Sequence, residues 1–294
     1  MKRRREPLFL GNYIRHDLRM GILAGWPKYL LAAAIFLVCC ADLFFNHINF
    51  PYSDLPPYDI EPFLTCGDYL FFMFRGMKPY TANANEIFIV NAYWVLIHLY
   101  LAFIVSFYPF RDLNGYGQLM LLQSKKRSGW WLSKCIWNTF SVVTYYALMY
   151  VVIFLFTLCT GGGLTLVPSP NIQYAYSGLT VSAIETTPQE VMMTAMLIPL
   201  LVSIGLCLLQ MLVALILRPL AGIILSAILL GASIFLNIPL LPGNYLMILR
   251  SELENPGNGI GLTGALFFFV LFSALAVFGG ATVFSRHDIL SKSK

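Results

Sequence analysis

Charged residues are scarce in this 294-residue chain. Asp, Glu, Lys and Arg together make up 11% of the sequence, against about 25% in an ordinary soluble domain. Hydrophobic residues make up 58%, and the mean hydropathy is +0.72. A soluble fold of this size cannot bury that much apolar surface, and disordered chains have low hydrophobicity. The composition therefore predicts an integral membrane protein, most of which is surrounded by lipid.

Cysteine motifs and catalytic motifs are also missing. The six cysteines form no Cys-x-x-Cys pair, and Cys39, Cys40, Cys135 and Cys207 lie in or beside apolar runs, which is typical of small hydrophobes. The sequence contains no HExxH, GxSxG or GxxxxGK[ST] motif. The glycine run at Gly161 lacks the lysine of a nucleotide-binding loop. We therefore expect no metal site, no cofactor, no bound ATP and no enzymatic activity in this chain.

Apolar segments long enough to cross a bilayer recur along the chain. A hydrocarbon core of ~30 Å needs ~20 helical residues at ~1.5 Å each. Six segments meet this length: 26–45, 87–110, 135–159, 191–217, 220–241 and 262–284. The prediction is an all-α transmembrane domain over 1–294, with outer loops at 46–86, 160–190 and 242–261.

The distribution of basic residues predicts the orientation. An even number of spans puts both termini on one side of the membrane, and sixteen of the 19 lysines and arginines then fall on that side. Arg75, Lys78 and Arg250 fall on the other side, together with ten of the 14 acidic residues. Positively charged loops stay in the cytoplasm. We expect a multi-pass protein of a bacterial plasma membrane with both termini in the cytoplasm and no nucleic-acid partner.

An amphipathic pattern precedes the first span. Leu10, Ile14 and Leu18 recur every four residues, whereas Arg15 and His16 lie on the opposite face. This pattern predicts an N-terminal helix in the inner membrane interface. The alternative is a cytosolic extension of the first span. No small-residue cleavage site follows the basic start MKRRRE, so we expect this start to be retained.

The outer loops contain two predicted short helices. In the first outer loop, Asp68 is the expected N-cap of a short apolar helix. In the third, the sequence NYLMILRSEL predicts a short helix that lies on the outer leaflet or dips into it. On the inner side, Arg218 and Pro219 predict a tight turn between the fourth and fifth spans.

The inner loop between the second and third spans combines an apolar stretch with a basic end. Leu119, Leu121 and Leu122 are followed by Lys125, Lys126 and Arg127. This pattern predicts a short helix of the size that docks into a groove on a cytosolic partner. The alternative is an ordinary basic loop, in which Trp130 and Trp131 anchor the third span at the interface.

At this loop the sequence resembles the coupling-helix region of ABC-2-type transporter permeases. In that family the pattern is loosely G-x-L-E-L-L, a turn containing proline, an arginine, and a lysine that opens the third span. The matching residues are Arg111, Gly117, Leu119, Leu121, Leu122, Arg127 and Lys134. The sequence departs from the pattern at Met120, where the family usually has an acid, and at Ser124 and Lys125, which replace the proline turn.

The resemblance implies a function. Two copies of the permease each dock one copy of a cytosolic ABC ATPase, and ATP and Mg²⁺ bind that partner. The residues expected to couple the permease to the ATPase are Asp112, Gly117, Leu119, Leu121, Leu122, Lys125, Lys126 and Arg127. The chain is also similar in size and outer loops to exporters of amphipathic peptides, such as phenol-soluble modulin exporters. A peptide toxin or antimicrobial peptide is therefore the expected cargo, exported from the cell.

A few polar residues within the spans are candidates for a translocation path. They are Trp94, His98, Asn138, Ser141, Tyr145 and Gln210. The alternative role is interhelical hydrogen bonding, which contributes about 0.6 kcal/mol per bond in membranes. No carboxylate lies in the middle of a span, which argues against an ion-coupled carrier.

Two other functions remain open from the sequence. The chain could be an intramembrane enzyme that uses outer-loop acids such as Asp54, Asp59 or Asp68. It could also be a membrane sensor or scaffold that transports nothing. Copurification with an ATPase would separate both from the exporter.

Overall fold

The computed structural model describes residues 6–49, 63–80, 88, 90–124, 127–169, 187–255 and 257–286. Most of this part of the chain is helical. It contains no β-strand, and its sheet-like contacts are two isolated bridges, between Thr65 and Gly163 and between Ser251 and Ile260. The all-α prediction is confirmed for the described residues.

The first half of the chain folds into helices of very different lengths. They are α1 Glu6–Asp17, a π-helical turn Leu18–Leu23, α2 Trp26–Asn49, α3 Cys66–Phe74, α4 Ala92–Ser106, α5 Tyr108–Leu113, α6 Tyr116–Ser124 and α7 Arg127–Cys159. The predicted N-terminal helix and the short helix before the third span are present as α1 and α6. The third span itself begins earlier than predicted, at Arg127 instead of Cys135.

The second half contains two more π-helical turns. Its elements are α8 Pro188–Val191, the π-helical turn Met192–Leu197, α9 Ile198–Ile216, α10 Pro219–Phe235, the 3₁₀ turns Pro242–Leu246 and Ile248–Arg250, α11 Leu262–Ala274, the π-helical turn Leu275–Gly279 and α12 Gly280–Arg286. The turn before α9 ends next to Pro199, which has no N–H to donate to the preceding turn. The wide turn accommodates this proline within a continuous helical segment.

Among the described residues, five helical segments are long and apolar enough to cross a membrane. They are Trp26–Asn49, Ala92–Leu113, Arg127–Cys159, Pro188–Ile216 and Leu262–Ser285. The chain is therefore a multi-pass membrane protein of helical type. Large apolar side chains, among them Leu37, Val151 and Phe278, remain exposed along these segments, as expected where lipid forms the surroundings.

The predicted fifth span, 220–241, is wrong at its C-terminal end. The helix α10 ends at Phe235, and Leu236 already has an extended backbone. Pro239 explains this end, because its ring would clash with the carbonyl group four residues earlier and pushes the preceding residue away from helical geometry. At 17 residues, α10 is about 25 Å long, which is shorter than the ~30 Å hydrocarbon core.

Helices α3 and α4 begin at residues that differ from the predictions, and a capping side chain defines each start. The second span was expected from residue 87, but α4 begins at Ala92, where the Asn91 side chain accepts hydrogen bonds from two backbone N–H groups. The N-cap of α3 is Thr65 and not Asp68. Asp68 is instead the third helical residue, whose carboxylate accepts the backbone N–H of Thr65 at 2.8 Å. The two side chains form a reciprocal capping box.

Helix α7 is at the centre of the packing. It contacts α1, α2, α9 and α12, and its Trp130, Trp131 and Trp137 are fully buried. Helix α9 packs against α10 and α11 on the other side of the bundle. We call the end that carries α5, α6 and the start of α7 the basic end, because Arg111, Arg127 and Arg218 lie there. The opposite end is called the loop end.

The segment NYLMILRSEL does not form the predicted membrane-dipping helix. It forms parts of two short 3₁₀ turns, whose residues from Pro242 to Arg250 are buried at the loop end. The indole N–H of Trp94 donates to the Leu246 carbonyl at 2.8 Å. The guanidinium of Arg250 donates to backbone carbonyls of Met77, Ser233 and Ile234. These bonds hold the segment on top of α4 and α10.

Candidate functional site

The strongest concentration of buried charge lies at the basic end, where α1, α5 and α7 meet. Lys134 on α7 is completely buried, with 0% of its side chain exposed. Its ammonium contacts the Asp17 carboxylate at the end of α1 and the Asp112 carboxylate of α5, the latter at 2.6 Å. One lysine thus joins two acidic residues that are far apart in the sequence.

Neutral side chains complete this network. The Tyr108 hydroxyl donates to Asp17 at 2.9 Å, and the Ser133 hydroxyl also donates to Asp17. The Trp130 indole donates to Asp112 at 3.1 Å. The Lys134 ammonium lies 4.8 Å from the centres of both the Tyr108 and the Trp130 rings, which is within cation–π distance. We call Asp17, Asp112 and Lys134, together with these partners, the ion network.

His16 brings the N-terminal helix into a second contact with Asp112. Its Nε2 atom lies 3.1 Å from Asp112 Oδ1, and its ring lies 4.9 Å from that of Tyr116 on α6. The sequence placed His16 on the polar face of an interfacial helix. In the structure His16 ties α1 to α5 and α6 through Asp112 and Tyr116, whereas Arg15 on the same predicted face is exposed.

The acidic cluster has the spacing of a metal site but already contains a cation. The ligand atoms of His16, Asp17 and Asp112 lie within 4.8 Å of one another. The Lys134 ammonium contacts both carboxylates, however, and a divalent ion in the same space would be strongly repelled by it. These residues are therefore better suited to an internal ion network than to metal binding.

The short helix α6 is fixed to this network by close contacts. A Cβ atom on Gly117 would lie 2.1 Å from Asp112 Oδ2, so only glycine allows α6 to approach the carboxylate. The Tyr13 hydroxyl donates to the Met120 carbonyl at 3.0 Å. These two contacts hold α6 against α1 and α5.

The predicted coupling residues are divided between the interior and the surface. Asp112, Gly117 and Leu121 are buried, whereas Leu119 is 57% exposed. The Arg127 guanidinium donates to the Ser285 carbonyl of α12 at 3.1 Å. Lys125, Lys126 and the side chain of Leu122 lie outside the described residues. Leu119 and Leu121 therefore do not share one face, because Leu121 is buried and Leu119 is exposed.

The predicted path residues are all buried, and three of them, Gln210, Tyr145 and Asn138, donate hydrogen bonds to other helices. Gln210 of α9 donates to the Ala102 carbonyl of α4 at 2.8 Å and accepts from Ser226 of α10 at 2.6 Å. The Tyr145 hydroxyl donates to the Ile97 carbonyl at 2.8 Å. In this conformation Gln210 and Tyr145 link helices, and the role of these residues in a translocation path stays a prediction.

The remaining path residues are also buried, but the contact of His98 is with a carbonyl of its own helix α4. Trp94 bonds to Leu246, as described above, and His98 Nδ1 lies 2.7 Å from the Trp94 carbonyl. Asn138 donates to the Cys207 carbonyl at 3.2 Å. Ser141 is fully buried. The described part of the chain does not bring these side chains together around an open channel.

The outer-loop acids do not form a described catalytic cluster. Asp54 and Asp59 lie outside the described residues. Asp68 accepts hydrogen bonds from the backbone N–H groups of Thr65 and Ser169, both at 2.8 Å. Its carboxylate therefore connects the first and second outer loops.

Sequence reasoning missed part of the ion network. Asp17, Tyr108 and Ser133 were not predicted as site residues, and Lys134 was identified only by the family resemblance. A usable signal was the position of Lys134 within the apolar third helix, because a buried lysine needs an anionic partner. The sequence does not say which acid that partner is.

Comparisons with known proteins give one family. A family model described as "Protein of unknown function (DUF2705)" matches residues 35–290. No curated protein and no solved structure matches the chain.

Proposed function

The chain belongs to the DUF2705 family, whose function is unknown, and we propose from its own residues that it is the permease subunit of an ATP-driven exporter. In this proposal the chain contributes the membrane path and a cytosolic ABC ATPase contributes the ATP and Mg²⁺ sites. The resemblance to ABC-2-type permeases at residues 111–134 suggests this class. The geometry of α6 provides the physical argument.

The observation that carries the proposal is an exposed apolar residue on a helix that is rigidly held. Leu119 projects from α6, while Gly117, Met120 and Leu121 anchor the same helix to the ion network and the core. A docking element needs both properties, namely an apolar contact for its partner and firm attachment to the parts that it must move. A loose basic loop would have neither.

The ion network connects α6 to α7, so it can transmit a displacement of α6 to the rest of the bundle. A displacement of α6 acts on Asp112, and Asp112 is bound to Lys134 on α7. Because α7 is a single helix of 33 residues that packs against α1, α2, α9 and α12, its movement would reach most of the bundle. Closure of two ATPase subunits would in this way shift two permease subunits against each other.

The proposed arrangement in the membrane follows from the charges. The basic end faces the cytoplasm of a bacterial cell, because basic loops are retained on that side. The short helix α10 serves as the sixth span. A helix a few ångströms shorter than the bilayer core is accommodated by local thinning at modest cost. Both termini are then cytoplasmic.

The proposed cargo is amphipathic or hydrophobic, with a peptide toxin or an antimicrobial peptide as the best example. Aliphatic and aromatic side chains cover the spans, and the charged residues in them, such as Lys28, Asp112 and Lys134, lie toward the ends. Because Gln210, Tyr145 and Asn138 bond between helices within one copy, the path is proposed to lie between two copies of the chain.

The substitution Leu119→Asp tests this function. If α6 docks into an apolar groove, an unpaired carboxylate there costs several kcal/mol. A loss of about 1.4 kcal/mol already weakens binding tenfold. We expect Leu119→Asp to reduce binding of the ATPase at least tenfold and to stop export, with unchanged thermal unfolding of the permease. The measurement combines pull-down of the ATPase with efflux of the cargo from cells.

The matched control is Leu23→Asp. Leu23 is an exposed leucine near the same end of the bundle, outside α6, so Leu23→Asp should leave ATPase binding intact. Normal binding and export in the Leu119→Asp variant would contradict the proposal. Equal losses in both variants would show that these leucines anchor the protein to the membrane surface.

A further inference from the structure

Two basic side chains from different helices meet at the basic end, outside the ion network. Lys28 lies in the first turn of α2, and its ammonium is 3.4 Å from the Ile104 carbonyl. The Tyr100 hydroxyl donates to the Lys28 carbonyl at 2.9 Å. These contacts fix the start of α2 beside α4 and bring the Lys28 ammonium to the last turn of α4.

Arg111 is the second basic residue, and it lies in line with the Lys28 contact. Helices α4 and α5 form one helical segment, in which Arg111 follows Ile104 by seven residues. The two positions are therefore only about 20° apart around the helix and about 10 Å apart along it. A helical side chain points back toward the N-terminus of its helix, so the guanidinium extends toward Lys28. The positive charges of Arg111 and Lys28 are close enough to interact electrostatically.

The pair of cations is not balanced by an acid. Within the described residues, neither Lys28 nor Arg111 forms an ion pair with an acidic residue. Asp112 follows Arg111 in the sequence but lies about 100° around the helix from it, and its carboxylate contacts Lys134 at 2.6 Å. Two like charges without an acid between them repel each other. An anion that contacts both side chains would remove this repulsion.

The surroundings of the pair indicate that the anion belongs to a lipid. Trp26, two residues before Lys28, is 60% exposed, and tryptophan is enriched at the level of the lipid headgroups. Phe107 and Phe103 precede Arg111 by one and two helical turns, and both are exposed. A ligand at this place meets two cations at the membrane surface and aromatic side chains on the way to the bilayer centre. Phosphate and acyl chain of a phospholipid have the same order.

We propose that Lys28 and Arg111 together bind the phosphate of one anionic phospholipid, whose acyl chain lies along Phe107 and Phe103. Arginine pairs well with phosphate oxygens, and basic residues at a membrane surface attract anionic lipids. A zwitterionic lipid fits less well, because the two cations repel its choline group. The site is independent of the proposed transport function, because it requires only that α2 and α4 span a bilayer.

Native mass spectrometry of the full-length protein tests the site. The protein is stripped of lipid in detergent and titrated with dioleoyl phosphatidylglycerol, or with dioleoyl phosphatidylcholine, which has the same chains. We expect one phosphatidylglycerol to bind about tenfold more tightly than phosphatidylcholine. Lys28→Gln and Arg111→Gln should each reduce this preference, and the double variant should remove it. Glycerol phosphate, which has no acyl chains, should not compete with phosphatidylglycerol at the same concentration.

The matched control is Arg218→Gln, which removes another exposed charge at the basic end, between α9 and α10. This variant should prefer phosphatidylglycerol as strongly as the unchanged protein does. Equal affinity of the unchanged protein for the two lipids would overturn the proposal. An equal loss of preference in Arg218→Gln and Arg111→Gln would also overturn it, because the overall charge of the basic end would then select the lipid. Competition by glycerol phosphate would show a site for soluble phosphates instead.

If the double variant does not fold, the unchanged protein still gives an answer. Phosphatidylglycerol with a photoreactive group next to its phosphate should label peptides that contain Trp26 or Phe107. Unlabelled phosphatidylglycerol should compete with this labelling at about tenfold lower concentration than phosphatidylcholine. Labelling that neither lipid reduces would show ordinary bulk lipid and would contradict a specific site.

Discussion

Lys134 illustrates how a single buried charge organises the basic end. Removing an ammonium from water costs several kcal/mol, and only close anionic partners offset this cost. Asp17 and Asp112 both contact Lys134, and each carboxylate has further donors in Tyr108 and Trp130. The lysine and the two acids therefore depend on one another, and none of them is a surface charge.

The substitution Lys134→Met should destabilise the protein by about 3–5 kcal/mol, because it leaves two buried carboxylates without their cation. Lys134→Arg should cost less, since the charge is retained. The measurement is thermal unfolding of the purified protein in detergent. Adding Asp17→Asn and Asp112→Asn to Lys134→Met should restore part of the loss. An unfolding temperature of Lys134→Met equal to that of the unchanged protein would contradict this account.

Gly117 was identified by the family pattern as a coupling residue, and that role stays a prediction. The structure gives a packing reason for a glycine at this position, since the Asp112 carboxylate lies where a Cβ atom would be. The contact between Asp17 and Lys134 could not be predicted in this way. It joins residues on different helices across a long stretch of sequence, and the pattern of a single helix contains no information about such a contact.

At the scale of elements, the turns from Pro242 to Arg250 show where helical patterns mislead. The apolar sequence suggested a helix, but Arg250 is only 2% exposed and donates to several backbone carbonyls. Ser233 and Ile234 are the last residues before the end of α10, where carbonyl groups have no helical partner. A cation at a helix C-terminus is also favoured by the helix dipole. Arg250 therefore caps α10 and shapes the turns around itself.

Arg250→Lys should loosen the loop end. Burial lowers the pKa of Arg250 to about 10, so the arginine stays charged at neutral pH. The ordinary pKa of a lysine is lower, about 10.4. The same burial would lower it further, so the lysine would lose its charge at a pH closer to neutral. It also lacks the planar fork of five donors. We expect residues 242–250 to exchange at least tenfold faster than in the unchanged protein at the same pH, and this ratio to increase as the pH rises.

The control for Arg250→Lys is Lys78→Gln, which changes an exposed basic side chain at the same end. This variant should leave the exchange of residues 242–250 unchanged. If Arg250→Lys exchanges as slowly as the unchanged protein at all pH values, the guanidinium does not hold the turns.

Helix existence was easier to predict than helix ends. Every predicted span coincides with a helix in the described residues, because length and hydropathy determine which segments enter a bilayer. The ends depend on local features that composition does not reveal. Pro239 shortens the fifth span, Asn91 delays the second, and the third is extended to Arg127 because its first turns pack against other helices.

At the scale of the whole molecule, composition alone identified a helical membrane protein. It did not reveal which faces of the helices meet or what they do together. The basic end combines the ion network with an exposed residue on α6, and at the loop end Arg250 and Trp94 hold the turns from Pro242 to Arg250 in place. The transport proposal requires a subunit that is driven from its basic end.

Isolation of the chain with its natural partners tests this central proposal most directly. The tagged protein is purified in mild detergent from its own organism, the copurifying chains are identified by mass spectrometry, and the mass of the complex is measured by light scattering. The account predicts two copies of this chain with two copies of an ATPase that carries a GxxxxGK[ST] motif, and ATP hydrolysis that is lost in the Leu119→Asp variant. A chain that purifies as a single copy without an ATPase, from cells that still export the cargo when the ATPase is deleted, would contradict it.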